Sequence, residues 1–165
     1  MDKATMDEKT NGAWLKGSAD VRFYKGQILL LLVAGGLFCL FSVFCALATQ
    51  SRTFFAVMAV WAIIGGPMLA WYAYNLHHIF KSSGDYVFFE AVLAKAQTGW
   101  GRGRLYFSVT VRDANGNTHE KETRSIFGSM GLLTPRFNDY SNKTVRIGFN
   151  PTTDEVVVMP PEERT

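Results

Sequence analysis

The chain has 165 residues, of which 48% are hydrophobic, and its formal net charge is +3 at neutral pH. This positive excess is small and scattered, which argues against nucleic acid as a partner. The composition averages a strongly apolar first half and a mixed second half, as is typical of a membrane segment joined to a small soluble domain.

The first 27 residues are predicted to form a cytoplasmic tail followed by an interfacial segment. Residues 1–12 are rich in Lys, Asp, Glu and Thr, a composition typical of a disordered tail. Trp14, Phe23 and Tyr24 follow. Membrane proteins carry such aromatic side chains at the level of the lipid headgroups, so these three predict an interfacial belt.

Two long apolar runs come next, Ile28–Ala48 and Phe54–Leu76, and neither contains Asp, Glu, Lys or Arg. As a helix, the first run would be about 31 Å long, against a hydrocarbon core of about 30 Å. The link between them, Thr49–Thr53, is too short for anything but an antiparallel pair. Residues 28–80 are therefore predicted to form a transmembrane helical hairpin, with the lipid bilayer as its partner.

A cleaved signal peptide is the alternative for the first run, because Ala46-Leu47-Ala48 has the small residues of a cleavage site. The run is longer than the apolar core of a usual signal, roughly 7–15 residues, which favours a retained helix.

Flanking charges predict the orientation of the hairpin. Lys16, Arg22 and Lys25 precede the first run and Lys81 follows the second, whereas Arg52 stands alone in the link. Positive residues concentrate on the cytoplasmic side. We therefore expect a multi-pass protein of the bacterial inner membrane with both termini in the cytoplasm.

A stripe of small residues follows one face of each predicted helix. Small residues let helix backbones approach closely in lipid, so the two stripes are expected to face each other. Two alternatives stay open: such residues are common in membrane helices, and one stripe could meet a second copy of the chain in a homo-oligomer. The members are Gly35, Cys39, Ser42 and Ala46 on the first helix and Ala59, Ala62, Gly66 and Ala70 on the second.

Residues 85–160 are predicted to form a small β-domain, with 161–165 as a tail. Apolar and polar residues alternate along Gly103–Asp113, the pattern of a half-buried strand, and Asn115-Gly116 supplies a tight turn. The fold class is thus an α+β membrane protein whose five antiparallel strands make a barrel or a curled sheet. The strands are Tyr86–Gln97, where the alanines leave a helix as the alternative, and Gly103–Asp113, Thr118–Ile126, Lys143–Phe149 and Glu155–Met159.

Four sequences in this domain carry a family resemblance: Phe89–Val92, Val109–Gly116, and Val145–Pro151 followed by Val156–Val158. They resemble a group of bacterial membrane proteins catalogued as domain of unknown function 3592, over about half of the chain. The resemblance implies membrane helices beside a small β-domain. It implies no catalytic residue.

Three short motifs contain residue types used in catalysis or ligand binding, but none has the pattern that such chemistry needs. His119–Glu122 lacks the second His that a zinc protease needs and lies on a predicted edge strand. His77 and His78 diverge by about 100° on a helix, which disfavours a shared metal; an interfacial role is expected, with pH sensing open. Gly99–Arg104 lacks the Lys-Ser/Thr of a phosphate-binding loop. We therefore predict no catalytic residue, no metal, no cofactor and no enzyme.

Exposed contacts with a partner or the membrane are predicted at two places. One is the loop with Arg side chains beside a Trp, and the other is the apolar, glycine-rich stretch Phe127–Phe137. The alternative for that stretch is a loop that caps the small core. The candidate residues are Trp100, Arg102, Arg104, Met130, Leu132, Leu133 and Phe137.

These observations predict a non-enzymatic inner-membrane protein whose cytoplasmic β-domain binds a protein partner or packs into an assembly. An immunity-type protein that neutralises a toxin at the membrane is one alternative. An oligomeric transport or channel component is another, although these helices lack a polar pore-lining face.

Overall fold

The computed structural model describes residues 3–51, 53–93, 95–98, 104–112, 118–128 and 134–161. The chain divides into two compact units. The first, here called the β-unit, combines Met1–Phe23 with His78–Thr165. The second, the helical unit, is Tyr24–His77.

Two helices meet near the N-terminus, α1 (Lys3–Gly17) and α2 (Ala19–Thr49). Ser18 separates them: its hydroxyl donates to the Leu15 carbonyl at 2.8 Å and accepts from the Val21 amide at 3.2 Å. A serine that accepts from an amide three residues later satisfies one of the free donors of a helix start.

The prediction of a disordered tail at residues 1–12 is wrong for the described residues 3–12, which are part of α1. A polar sequence of this kind holds a helix only when tertiary contacts support it. Here the Asn11 side chain donates to the Tyr86 carbonyl at 3.2 Å, and Leu15 is fully buried in the β-unit.

The predicted apolar helices are confirmed as helices. The first run lies within α2, and the second lies within α3 (Thr53–Lys81), which continues through Pro67. Both helices are long and apolar enough to cross a membrane. Each also extends beyond its apolar run, so α2 begins, and α3 ends, inside the β-unit.

The first sheet of the β-unit has three antiparallel strands in the order β1-β6-β7. A 3₁₀ turn, Ser83–Asp85, leads from α3 into it. Val156, Val157 and Val158 of β7 are all buried, as are Val145 and Ile147 of β6. The strands are β1 (Val87–Val92), β6 (Thr144–Asn150) and β7 (Glu155–Val158).

The second sheet follows the order β2-β3-β4, and a short β5 also pairs with β3. Phe107, Val109 and Val111 of β3 are buried and Thr110 is exposed, as the alternation predicted, but Ser108 on the other face is buried as well. The polar β4 stands at an edge of this order, as expected. The strands are β2 (Lys95–Thr98), β3 (Arg104–Arg112), β4 (Thr118–Glu122) and β5 (Phe127–Gly128).

The α+β class holds, but the prediction of five strands in a barrel or one curled sheet is wrong: the described residues form seven strands in two sheets and no closed barrel. The predicted strand Tyr86–Gln97 breaks at Leu93, which is buried and pairs with the turn before β6 through its amide to Lys143 and its carbonyl to Asn142. β1 ends at Val92 in the first sheet, and β2 begins at Lys95 in the second. The predicted Asn115-Gly116 turn lies outside the described residues.

Aromatic side chains fill the core beneath the second sheet. The ring of Phe127 meets Phe107 edge-on at 4.9 Å and Tyr140 at 5.0 Å between ring centroids. Tyr140 belongs to α4 (Phe137–Tyr140), a single helical turn. The segment that interrupts the β pattern in the sequence is therefore anchored at both ends to this core.

Candidate functional site

Within the helical unit, one face of α2 packs against α3 in an antiparallel arrangement. Near the start of α2, Tyr24 lies 6.1 Å from Tyr72 between ring centroids, and further along α2 Gly35 contacts Trp61. Residues later in α2 therefore contact residues earlier in α3, which confirms that the two helices run antiparallel.

The structure places the two predicted small-residue stripes differently. On α2, Gly35, Ser42 and Ala46 are buried and Cys39 is half-buried, so this stripe is the contact face. On α3 the predicted stripe is exposed, so the prediction that the two stripes face each other within one chain is wrong. The exposed members are Ala59, Ala62, Gly66 and Ala70.

The face of α3 that contacts α2 carries large side chains instead of the predicted small ones. The ring of Trp61 lies between Gly35 of α2 and Gly65 of its own helix, and a Cβ at Gly35 would overlap that ring. The contact face of α3 is rotated by one residue, about 100°, from the predicted stripe. A large side chain in a groove of small ones makes more van der Waals contacts than two smooth faces do, which accounts for the choice.

The predicted partner-contact residues are mostly beyond what the structure describes. Trp100, Arg102, Met130, Leu132 and Leu133 lie outside the described residues, and Arg104 is described only by its backbone, at the start of β3. The remaining one, Phe137, is half-buried, and its ring stacks on Phe107 at 4.9 Å. It therefore has the core-capping role that was the alternative to an exposed contact.

The β-unit contains a polar cluster that the sequence analysis missed. We call it the Asp20–Glu155 cluster; its members are Asp20, His78, Tyr86, Arg124 and Glu155. They come from α2, α3, the turn before β1, the segment between β4 and β5, and β7.

Glu155 is the centre of this cluster. Its Oε1 accepts from the Arg124 guanidinium at 2.5 Å, and its Oε2 lies 3.4 Å from the Tyr86 hydroxyl and 3.5 Å from His78 Nδ1. Burial, and then the nearby Glu155 charge, raise the pKa of Tyr86 above its usual range. Tyr86 therefore keeps its proton and acts as a donor.

Asp20 is the most deeply buried ionisable group of the cluster, at 1% exposure. Its Oδ2 accepts from the Val158 amide at 3.0 Å, on the edge of β7 that faces away from β6. Its Oδ1 is buried without a hydrogen-bond partner among the described residues. Burial raises the pKa of this carboxyl from 3.8 to about 6, and Arg124 opposes part of that effect.

Asp20, whose pKa burial raises to about 6, is the group of this cluster that is suited to take up a proton in mildly acidic conditions. Within the described part of the chain, no group of three or more His, Cys, Asp or Glu residues is placed to hold a metal ion. The His119–Glu122 motif lies on β4, where His119 is exposed.

A separate cavity of about 420 Å³ lies where α1 meets the end of β7. Trp14, Met159 and Pro160 line it, and the Arg146 guanidinium covers the Trp14 ring at 3.8 Å from the centroid. This stacking is a cation–π contact, which fixes α1 to β6.

A sequence signal for the cluster exists, although it is weak. Asp20 is the only acidic residue in the stretch Leu15–Tyr24, which otherwise reads as the buried face of a helix. Its partners are far along the chain: Val158, which donates to it, is 138 residues away. No spacing rule links residues so distant, so only the fold brings them together.

Comparisons with protein-family models, with curated proteins and with solved structures return no match to this chain. Function is therefore argued from the geometry alone.

Proposed function

We propose that this is a non-enzymatic integral protein of the bacterial inner membrane. In this proposal α2 and α3 cross the bilayer as a multi-pass hairpin, and both termini and the β-unit lie in the cytoplasm. The β-unit serves as a protein-binding or assembly module. Membership in the group catalogued as domain of unknown function 3592 is part of the same proposal.

One observation carries the membrane assignment: α2 and α3 expose large apolar side chains along their length. Leu37 is 63% exposed, Phe44 69% and Ile63 72%. A soluble monomer rarely exposes a continuous apolar surface of more than a few hundred Å². Lipid chains would cover this surface, and the helical backbones satisfy their own hydrogen bonds as a bilayer requires.

Charges and aromatic rings support the proposed orientation. Arg22 and Lys25 near the start of α2, and Lys81 at the end of α3, are all exposed. Trp71 lies 6.3 Å from Tyr24 between ring centroids and is 54% exposed, as suits an interfacial position. These residues lie near the start of α2 and the end of α3, and at those two points the chain passes into the residues of the β-unit.

Two of the sequences that resemble the family lie together in one hairpin of the β-unit. The quoted sequences Val145–Pro151 and Val156–Val158 form the β6–β7 hairpin. Asn150 is buried, and its side-chain oxygen accepts from the amides of Thr152 at 2.9 Å and Thr153 at 3.2 Å. An Asn that hydrogen-bonds the following backbone fixes such a turn.

Sidedness is tested with single cysteines in a Cys39→Ser, Cys45→Ser background. Thr49→Cys lies at the exposed end of α2 beside the link, and Lys143→Cys lies at an exposed position before β6. A membrane-impermeant maleimide should label position 49 from outside spheroplasts and position 143 only after permeabilisation. The reverse pattern contradicts the orientation, and labelling of both from outside contradicts the hairpin.

Protein binding is tested by affinity purification of the full chain from detergent-solubilised membranes. The test variant is Leu132→Asp with Leu133→Asp, and a matched control is Val87→Asp with Val92→Asp, which alters exposed apolar side chains of β1. A co-purifying protein should be lost from the test variant and kept by the control. An identical set of proteins for wild type and test variant contradicts the predicted contact.

A further inference from the structure

Asp20 joins the N-terminal part of the β-unit to its sheet. In this register the Val158 amide points away from β6, and it donates to Asp20 Oδ2 at 3.0 Å. The next amide, that of Met159, donates to the Arg146 carbonyl of β6 at 2.9 Å. One edge of β7 is therefore paired with β6, and the amide of Val158 on the opposite, outer edge is hydrogen-bonded to Asp20.

Charged and titratable groups face this carboxyl from every element around it. Arg124 and Glu155 lie close enough to act on Asp20 electrostatically, and Asp20 acts in turn on Tyr86 and Tyr140. His78, from α3, reaches the group through its contact with Glu155. Burial raises the pKa of Tyr140 to about 12, so both tyrosines stay neutral. The direct charges near Asp20 are thus one Arg and one Glu.

The two oxygens of Asp20 are unequal. Oδ2 has its hydrogen bond, whereas Oδ1 is buried without a partner among the described residues. A buried charge without full hydrogen bonding costs free energy, and a proton on the carboxyl removes that charge.

We propose that Asp20 is a proton-binding site whose occupancy controls how tightly the start of α2 holds the outer edge of β7. With the proton bound, the contact is tight. When the proton leaves, local opening that lets water reach the carboxylate becomes more favourable. Asp20 lies in the first turn of α2, and the helix continues without a break into its apolar run. The proton therefore binds at the N-terminal end of that helix.

The raised pKa of Asp20, from 3.8 to about 6, gives the direction and range of the effect. An opened carboxyl in contact with water has an ordinary pKa, so opening releases the proton between about pH 4 and about pH 6. Lowering the pH through this range tightens the contact. The ratio of open to closed states should fall about tenfold between pH 7 and pH 5.

Hydrogen exchange on the full chain in detergent micelles tests this proposal. After correction for the pH dependence of intrinsic exchange, protection of the Val158 amide should be about tenfold greater at pH 5 than at pH 7. The Met159 amide is the internal control and should change less. In the Asp20→Asn variant, protection of Val158 should be the same at both pH values.

Two results overturn the proposal: equal protection of Val158 at both pH values in the wild type, or a tenfold difference that persists in Asp20→Asn. A measurement without a variant guards against a substitution that fails to fold. The Cγ chemical shift of labelled Asp20 in the wild type should titrate near pH 6, and a titration at the ordinary pKa of an aspartate also overturns the proposal.

Discussion

Replacing Asp20 by Asn should change the pH dependence of folding in a direction that the structure fixes. Burial raises the pKa of Asp20 in the folded protein from 3.8 to about 6, so the folded state binds this proton more tightly than the unfolded chain. The stability that the proton contributes is complete below about pH 4 and is lost as the pH rises to about 6. Above that pH, the folded state carries a buried charge.

The magnitude follows from the same pKa values. One pKa unit corresponds to about 1.4 kcal/mol, so the whole shift is worth ~3 kcal/mol. Between about pH 4 and about pH 8 the free energy of unfolding of the wild type should fall by ~2.4 kcal/mol relative to Asp20→Asn, because an unfolded Asp is already partly ionised at pH 4. Comparing the two proteins at two pH values cancels any constant effect of the Asn amide, whose NH₂ group would need a partner of its own.

The assay is urea unfolding of the full chain in non-ionic detergent, followed by near-ultraviolet circular dichroism. Asp154→Asn is the control, because Asp154 is exposed and its positive φ of 58° is tolerated by Asn. The reasoning is refuted if the difference between wild type and Asp20→Asn is the same at both pH values, or if the wild type gains relative stability as the pH rises.

Three further predictions concern packing and surface charge. Gly35→Val should lower the stability of the helical unit by about 1–3 kcal/mol, because the added side chain overlaps Trp61. Thermal unfolding in detergent will show this, and the control Gly36→Val, whose side chain enters open space, should have no such effect. Adding Trp61→Ala to Gly35→Val should restore the lost stability. Phe107→Ala should cost about 3–5 kcal/mol in urea unfolding, because its fully buried ring packs against the rings of Phe127 and Phe137. Lys121→Ala, which removes an exposed ion pair, should cost under about 1 kcal/mol in the same assay.

The helices and most strands could be predicted because their patterns are local. An uncharged apolar run fixes a long helix wherever it lies, and the alternation along Gly103–Asp113 fixes which residues of β3 are buried. The break at Leu93 could not be predicted, since the alternating pattern continues through it. In the structure β1 ends at Val92, and the next strand, from Lys95, pairs with β3 of the other sheet.

The packing face of α3 shows why a small-residue stripe alone is an uncertain guide. Gly65 and Gly66 differ by one residue, and either could lie on a contact face. The structure selects Gly65 because Trp61, one turn earlier, fills the space against Gly35. The Asp20–Glu155 cluster could not be predicted from the sequence, because its members come from five separate parts of the chain and share no common motif.

Extraction of cell membranes with alkaline carbonate tests the central claim most directly. A hairpin whose apolar surface is covered by lipid should stay in the membrane pellet, and detergent should be needed to bring it into solution. The full chain recovered in the supernatant, and running as a dissolved monomer in buffer without detergent, would contradict the account.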